Sequence, residues 1–349
     1  MPLHRPFEPI RLESAARAWA LRAVAYGIRV EGLSVSLGGR RVLHRVSFGL
    51  EEAGYLVVLG PSGSGKTTLL RTIAGLLEPD EGRVLVGGRD VTRKPPWERG
   101  VALVQQVPGL LPHLTVEENI ILAAETRAGL SRSEAREEAR RLAAMLGIED
   151  VLDRRPGGLS GGQLQRAAIA VALATRAGVL LLDEPLSHLD RPLAEQLRGE
   201  LAAIHRATGA TVVHVTHDQD EALALATHLA VLIEGRIEAF GRSVEVYYRP
   251  PSARVARFLG HNVVEAGRLD PGMQGVYSVP PEAVAPDPDG AYRGRVRSLA
   301  RERGRVTVLL ETEAGLLRAY LHPRDAEHLE PGMELRFSID WGLAHPLSA

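Results

Sequence analysis

One stretch of this 349-residue chain indicates its fold: Tyr55-Leu-Val-Val-Leu-Gly60-Pro-Ser-Gly-Ser-Gly65-Lys66-Thr67-Thr68. Its first five residues form a run typical of a parallel strand that is covered on both faces. The Gly-rich run that follows fits the spacing G-x-x-x-x-G-K-[ST], and a helical pattern continues through residues 67–77. A strand, a Gly-rich loop and a helix in this order predict a loop whose backbone N–H groups surround a phosphate.

The residues of this loop have separate expected roles. Glycine lets the backbone wrap a phosphate, and the amino end of the following helix adds a partial positive charge. Lys66 is expected to bring a compact positive charge to the β- and γ-phosphates, and Thr67 a hydroxyl ligand to Mg²⁺. The residues expected to contact a nucleotide are Gly60, Pro61, Ser62, Gly63, Ser64, Gly65, Lys66, Thr67 and Thr68.

A second motif places two carboxylates at the end of an apolar strand. The run Val179-Leu-Leu-Leu182 leads into Asp183 and Glu184. Ligands bind at the carboxyl ends of strands in open α/β sheets, so these side chains are expected beside the phosphate loop. Asp183 can hold Mg²⁺, and Glu184 can polarise a water molecule that attacks the γ-phosphate.

A third motif, Leu159-Ser160-Gly161-Gly162-Gln163, comes directly before the helical run Leu164–Arg176. A Ser and two Gly residues at a helix start offer a hydroxyl and free backbone N–H groups to an anion. A Ser-capped helix after a Gly loop is the plainer interpretation. The two nucleotide motifs elsewhere in the chain favour the anion site.

Composition excludes several functional classes. The net charge of −1 leaves no excess positive charge to coat nucleic acid or an acidic membrane. The absence of Cys excludes disulfides and thiolate metal sites. Only Lys66 and Lys94 are lysines among the 42 basic side chains. No apolar run approaches the ~20 residues of a membrane span, and residues 1–26 do not resemble a secretory signal.

Two regions of the chain differ in the pattern of their apolar and turn residues. Residues 28–240 alternate strand-length runs with helical patterns such as Arg132–Leu146, which predicts an α/β sheet. From about Asn262 onward, turn residues separate short β-rich runs, which predicts a small all-β domain. The further runs predicted as strands are Thr211–Thr216 and His228–Ile233, and capping boxes are predicted at Thr115, Ser131 and Asp218.

The three motifs in this order resemble those of ATP-binding-cassette (ABC) transporter ATPases over residues 28–240. Gln106 resembles the Q-loop glutamine of that family, Ser187-His-Leu-Asp190 resembles its D-loop, and His217 resembles its switch histidine. The resemblance implies an α/β P-loop NTPase core with an inserted helical subdomain, and a small all-β OB-like (TOBE) domain. The expected divisions are an N-terminal extension (1–27), the core (28–240, with the helical subdomain at about 107–160), a linker (241–261) and the OB-like domain (262–349).

The resemblance also implies a mechanism with ATP and Mg²⁺ as cofactors. Two copies would pair head to tail, so that the phosphate loop of one copy faces Ser160 and Gly162 of the other. Glu184 would be the general base, and His217 would hold the γ-phosphate and the attacking water. Gln106 would contribute to the Mg²⁺ site with Thr67 and Asp183, and would report the nucleotide state to a membrane partner. The remaining expected nucleotide contacts are Gly161, Gln163 and Asp190.

Within the family, residues 111–116 and 241–260 resemble importer ATPases for sugars, polyamines, sulfate and ferric iron. The expectation is therefore a homodimer at the cytoplasmic face of the cell membrane. Its partners would be transmembrane permease subunits and, indirectly, a solute-binding protein, with no nucleic acid. A soluble ABC ATPase that acts on nucleic acid or ribosomes, and an exporter ATPase, remain as alternatives.

Some residues depart from the family pattern. Leu37 stands where an aromatic residue usually stacks on adenine, Val171 replaces a common Arg, and His188 replaces a small residue or Asn.

In the OB-like domain, a nucleic-acid surface, an anion-sensing site or a solvated face could each account for a group of arginines, and we favour the solvated face. Spacing by two predicts that two sets of three share strand faces: Arg293, Arg295 and Arg297, and Arg301, Arg303 and Arg305.

Overall fold

A computed structural model describes residues 26–107, 109–187, 189–302 and 304–347. The chain divides into two compact units, the first ending at Ser243 and the second beginning at Val244. This division lies inside the segment 241–261 that the sequence predicts as a linker. Nearly all of the N-terminal extension and His188 lie outside the described residues.

Two sheets make up the first unit. Its strands are β1 (Tyr26–Leu37), β2 (Arg40–Glu51), β3 (Tyr55–Leu59), β4 (Glu81–Val86), β5 (Arg89–Asp90), β6 (Val101–Val104), β7 (Val179–Asp183), β8 (Thr211–Thr216), β9 (His228–Ile233) and β10 (Arg236–Arg242). One sheet has the order β10-β9-β3-β8-β7-β6 and is parallel except for β10, and the other is antiparallel with the order β2-β1-β4-β5. All four runs predicted as strands are therefore confirmed.

The helices of the first unit are α1 (Lys66–Ala74), α2 (Val116–Ala128), α3 (Arg132–Leu146), α4 (Gly161–Ala174), α5 (Arg191–Thr208) and α6 (Gln219–Leu225). Helix α1 contributes Leu69, Leu70 and Ile73 to a core that joins both sheets. It ends at Ala74, earlier than the predicted residue 77, because Gly75 adopts a left-handed conformation and caps it. Short 3₁₀ turns occupy Pro96–Glu98, Glu149–Val151 and Pro156–Gly158.

Two of the three predicted capping boxes are confirmed, at Thr115 and Ser131. The third prediction is wrong. Asp218 does cap α6 by accepting bonds from the backbone N–H groups of Asp220 and Glu221. The side chain of Glu221 does not return this bond, because it lies against His214 in the interior.

The second unit is mainly β structure, as predicted. Its elements are α7 (Ser243–Tyr248), α8 (Ala253–Phe258), β11 (Asn262–Glu265), β12 (Val276–Val279), β13 (Val284–Pro286), β14 (Tyr292–Glu302), β15 (Arg305–Thr312), β16 (Gly315–Leu321), β17 (Glu334–Ile339) and β18 (His345–Leu347), with 3₁₀ turns at Ala266–Arg268 and Pro281–Ala283. They form a three-stranded sheet, β11-β12-β18, and a five-stranded sheet, β13-β17-β14-β15-β16.

The arginine prediction is half right. Arg293, Arg295 and Arg297 are exposed on β14, while Gly294 and Val296 between them are buried. The second set does not share a strand. Arg301 lies on β14 and Arg305 begins β15, because the chain reverses between them, and Arg303 lies outside the described residues.

Over the described ranges, the helices are too short or too polar to cross a lipid bilayer.

Candidate functional site

The Gly-rich loop connects β3 to α1 and leaves little room beside its first residue. A Cβ atom on Gly60 would lie 2.3 Å from the carbonyl oxygen of Leu232 on β9, so only glycine allows this approach. Gly63 and Gly65 adopt positive φ angles of 79° and 104°. The hydroxyl of Ser64 is buried and has no hydrogen-bond partner among the described residues. A buried polar atom without a partner in a Gly-rich turn fits a loop that binds an anionic ligand.

Lys66, the charged residue of the loop, is buried, with 5% of its surface exposed. Its ammonium donates hydrogen bonds to the carbonyl oxygens of Gly60, at 2.9 Å, and Pro61, at 3.2 Å. It also lies 3.8 Å from Oε1 of Glu184. Burial lowers the pKa of Lys66, while the negative charges of Glu184 and Asp183 oppose this shift. The ammonium is therefore held where strand β7 meets the loop.

Thr67 and Asp183 form the candidate metal site. The Thr67 hydroxyl donates to Oδ1 of Asp183 at 3.1 Å, across the gap between α1 and the end of β7. Burial raises the pKa of Asp183, and the bond from Thr67 works in the opposite direction. A desolvated carboxylate beside a hydroxyl is an oxygen donor set that suits Mg²⁺, and a cation here would offset the cost of burying the carboxylate.

Glu184 and His217 meet at the carboxyl ends of β7 and β8. Oε2 of Glu184 lies 3.4 Å from Nδ1 of His217. Glu184 has a φ of 45°, a conformation that costs a residue with a side chain about 1–2 kcal/mol. Its backbone is held there because its N–H donates to Val215 O at 3.0 Å and its carbonyl accepts from the Ser187 hydroxyl at 2.9 Å. Backbone strain of this kind is concentrated at functional sites.

Two other predicted residues lie at the edge of this group. The side-chain amide of Gln106 donates to the Ser187 hydroxyl at 3.4 Å. No hydrogen bond within the described ranges joins Gln106 to Thr67 or Asp183, and its place in a metal site stays a prediction. Asp190 is exposed and caps α5 by accepting from the N–H of Leu193.

The third motif is not brought to the phosphate loop. Ser160 and Gln163 form a capping box at the start of α4, which the sequence analysis did not identify as such. Gly161 is exposed, whereas Gly162 is buried so tightly that a Cβ atom would lie 2.5 Å from a methyl carbon of Leu193. No hydrogen bond or ion pair in the described part of the chain links these four residues to residues 60–68. Within one chain, the site contains only part of the predicted set.

Arg99 binds the carboxyl end of α1, the helix that follows the phosphate loop, and sequence reasoning missed it. Its buried guanidinium donates to the carbonyl oxygens of Thr72, Ile73, Thr92 and Lys94 at 2.7–3.1 Å. Burial lowers the pKa of Arg99, and Asp90 and Glu78 oppose this shift. A cation at the carboxyl end of a helix stabilises that end. In the sequence, Arg99 is one of many arginines and has no distinguishing signal.

The remaining singled-out residues lie away from the charged group. Leu37 is 41% exposed beside the β1–β2 turn. Val171 is half-buried on α4. Lys94 is exposed and pairs with Glu98 at 3.1 Å.

A phosphate loop between a parallel strand and a helix, with carboxylates at the end of the next strand but one in the same sheet, defines a P-loop nucleotide-binding ATPase. The family model for ABC transporters matches residues 43–187. A spermidine/putrescine import ATP-binding protein of Pseudomonas aeruginosa is 46% identical over 235 residues, which are 66% of this chain and 64% of that protein. An Fe(3+) ions import ATP-binding protein of Streptomyces coelicolor is 41% identical over 329 residues, 91% of this chain and 93% of that protein.

A solved structure adds a comparison at the level of the fold. The dimeric post-hydrolysis state of an ATP-binding cassette bound to ADP and phosphate is 30% identical to this chain, with a TM-score of 0.56. The match covers 62% of this chain and 98% of that one. This chain belongs to the ABC transporter family and is one of its ATP-binding ATPases.

Proposed function

We propose that this chain is the ATP-hydrolysing subunit of an importer for a small solute. The observation that carries this proposal is the 41% identity, over 91% of the chain, to a protein named for iron import, because this match includes the second unit. Relatives named for import of spermidine/putrescine and sn-glycerol-3-phosphate support the same class. The chain would work at the cytoplasmic face of the membrane, bound to permease subunits. A solute-binding protein would deliver the solute to these subunits.

The proposed active unit contains two copies. In one chain, Lys66, Thr67, Asp183, Glu184 and His217 lie together, and no hydrogen bond or ion pair among the described residues joins them to the motif that begins at Ser160. A head-to-tail partner would bring its own Ser160 motif to the phosphate loop. The dimeric cassette with ADP and phosphate bound is consistent with such an arrangement. Binding of ATP would then close the dimer, and hydrolysis would reopen it.

The proposed chemistry assigns one task to each group. Lys66 would hold phosphate oxygens, and Thr67, Gln106 and Asp183 would hold Mg²⁺, which would neutralise charge on the phosphates. Glu184 accepts a proton from the attacking water, and His217 keeps that water and the γ-phosphate in place. Gln106, at the edge of the group, reports on the nucleotide to the membrane partner. The remaining nucleotide contacts are the loop residues 60–65 and Thr68 of one copy, Ser160, Gly161, Gly162 and Gln163 of the other, and Asp190.

The variant Glu184→Gln tests the assignment of the base. It removes the proton acceptor and keeps the shape, so we expect ATP binding to persist while turnover falls by two to four orders of magnitude, roughly the contribution of a general base. Phosphate release measures turnover, and a fluorescent ATP analogue measures binding. Glu195→Gln on α5 is the matched control, since Glu195 is exposed and, among the described residues, its ion pair is with Arg191 in the preceding helical turn. Full turnover in Glu184→Gln would refute the assignment.

Import itself is tested with the complete transporter. The chain is purified with its permease subunits, and its ATPase rate is measured with sulfate, ferric iron, spermidine and maltose, each with its binding protein. We expect one solute to stimulate hydrolysis. Stimulation by DNA or RNA, and by no solute, would show that the importer proposal is wrong.

A further inference from the structure

Three polar side chains are buried together on one face of the sheet beside β8. Tyr55 lies on β3, His214 on β8 and Glu221 on the first turn of α6, and none is more than 4% exposed. The Tyr55 hydroxyl lies 3.0 Å from His214 Nδ1, and Glu221 Oε2 lies 3.2 Å from His214 Nε2. Strand alternation places this group on the sheet face opposite α1, because Leu56, Val58, Val213 and Val215 face the core that contains α1.

The chemistry of the group defines its protons. When the Tyr55 hydroxyl donates to Nδ1 of His214, the neutral ring carries its proton on Nε2, the nitrogen that faces Glu221. Burial and the negative charge of Glu221 raise the pKa of Tyr55, so the phenol keeps its proton. Nε2 and Oε2 are buried, and neither has hydrogen-bond geometry with any described residue, including with each other. Their 3.2 Å approach is an electrostatic contact without hydrogen-bond alignment, and it offsets only part of the cost of removing them from water.

His205 on α5 is a further titratable side chain that packs on this group. Its ring meets the Tyr55 ring edge to face at 5.2 Å, and its Nε2 pairs with the carbonyl oxygen of Ala53 at 2.9 Å. Apolar side chains of β7 and α5, including Leu182 and Ile204, are fully or nearly buried nearby in the same layer. A polar group of three members in an apolar layer needs a reason, because packing alone would favour hydrophobic side chains.

The group holds both ends of the segment that carries His217. Strand β8 ends at Thr216 and α6 begins at Gln219, so the segment between them consists of His217 and the helix cap Asp218. His214 lies on the strand before this segment, and Glu221 lies on the helix after it. The carboxylate of Glu221 takes this inward contact in place of the return bond of a capping box.

We propose that Tyr55, His214 and Glu221 are positioning residues that hold His217 at its 3.4 Å contact with Glu184. The proposal rests on the proposed function, because it assigns His217 and Glu184 to the reaction. Loss of the Glu221–His214 contact frees the start of α6 from β8, and His217 then loses its alignment with Glu184. A displacement of about 1 Å at a reacting group can lower turnover a hundredfold.

The first test compares turnover with binding. Glu221→Gln keeps the shape and removes the charge, and we expect kcat to fall roughly ten- to a hundredfold while the Kd for ATP stays within twofold of the parent. Tyr55→Phe removes only the outer hydroxyl and should lower kcat less. Thr211→Val is the matched control, since Thr211 is buried at the opposite end of β8 and bonds to the Ala53 N–H. It should lower stability without a change in kcat.

The second test asks whether the effect passes through His217. In a His217→Ala background, Glu221→Gln should cause no further loss of kcat. An equal further loss would overturn the proposal, as would unchanged kcat in the Glu221→Gln variant alone. The Glu184→Gln result stands apart from this test: full turnover there contradicts the proposed function, whatever Glu221 does.

A spectroscopic measurement tests the proposal in variants whose activity is too low for kinetics. In protein with ¹⁵N-labelled histidine, the His217 ring signals are assigned by their loss in His217→Asn. They should move in Glu221→Gln and in Tyr55→Phe, and stay in place in Thr211→Val. Signals that do not move in either of the first two variants would overturn the proposal, including when Glu221→Gln folds poorly and only Tyr55→Phe is measurable.

Discussion

Replacing His261 should remove much of the acid sensitivity of the second unit. His261 directly precedes β11 and is 5% exposed. Its Nδ1 pairs with the Ser278 hydroxyl at 2.8 Å, its Nε2 has no hydrogen-bond partner within the described ranges, and the Tyr247 ring packs against it edge to face. Burial lowers the pKa of His261 from 6.5 to about 4. The folded unit therefore excludes a proton that the unfolded chain binds.

The sign and size of the effect follow from these two values. Above pH 6.5 neither state binds the proton, so stability is highest there, and it falls as the pH decreases towards 4. One pH unit corresponds to about 1.4 kcal/mol, so the full loss is roughly 3 kcal/mol. At pH 5, about 2 kcal/mol of it has already been lost. Burial and Arg249 also lower the pKa of His345, which adds a loss of the same sign.

Urea unfolding between pH 7.5 and 5 measures this loss. Trp341 lies in the second unit and reports on its unfolding by fluorescence, in a background where Trp19 and Trp97 are Phe. The parent should lose about 2 kcal/mol more than His261→Gln over this range. His328→Gln, which replaces an exposed histidine of the same unit, should behave like the parent. An equal loss in parent and His261→Gln would refute the reasoning.

Three further predictions concern packing and specificity. Leu37→Tyr should raise the affinity for ATP over GTP roughly two- to tenfold through stacking, and an unchanged ratio in competition binding would contradict it. Phe337→Ala should lower the free energy of unfolding by about 3–5 kcal/mol in urea, because Phe337 is fully buried; a loss below 1 kcal/mol would contradict it. Gly162→Ala should cost about 1–3 kcal/mol because its Cβ meets Leu193, and Leu193→Ala should restore part of this, which a thermal melt of the double variant checks.

Much of the architecture could be predicted from local patterns. The strands that flank the phosphate loop are runs of apolar residues buried on both faces, and such runs have few alternative structures. The boxes at Thr115 and Ser131 depend on residues three positions apart, which the sequence displays directly. The box at Asp218 failed because Glu221 has a partner, His214, on an adjacent strand. A local pattern contains no information about such a contact.

The candidate site likewise contains residues that local sequence patterns predict and residues that they do not. Lys66, Thr67, Asp183 and Glu184 were predictable because a loop and a strand end recur with known spacing. Arg99 and Tyr55 were not, because each acts through contacts with residues distant in sequence and neither belongs to a motif. The arginine faces of the second unit failed where the chain reverses after Arg301, since spacing by two cannot show where a strand ends.

Because lysine is scarce in this protein, an amine-reactive reagent can report on individual sites. An amine-reactive dye needs an accessible, unprotonated amine, and apart from the chain's amino terminus only two lysines offer one. Lys94 is exposed and should label readily, which would place one fluorophore on the first unit without mutagenesis. Lys66 is buried in the phosphate loop, so its labelling rate would measure how often that loop opens. A nucleotide that occupies the loop should slow this second reaction and leave the first unchanged.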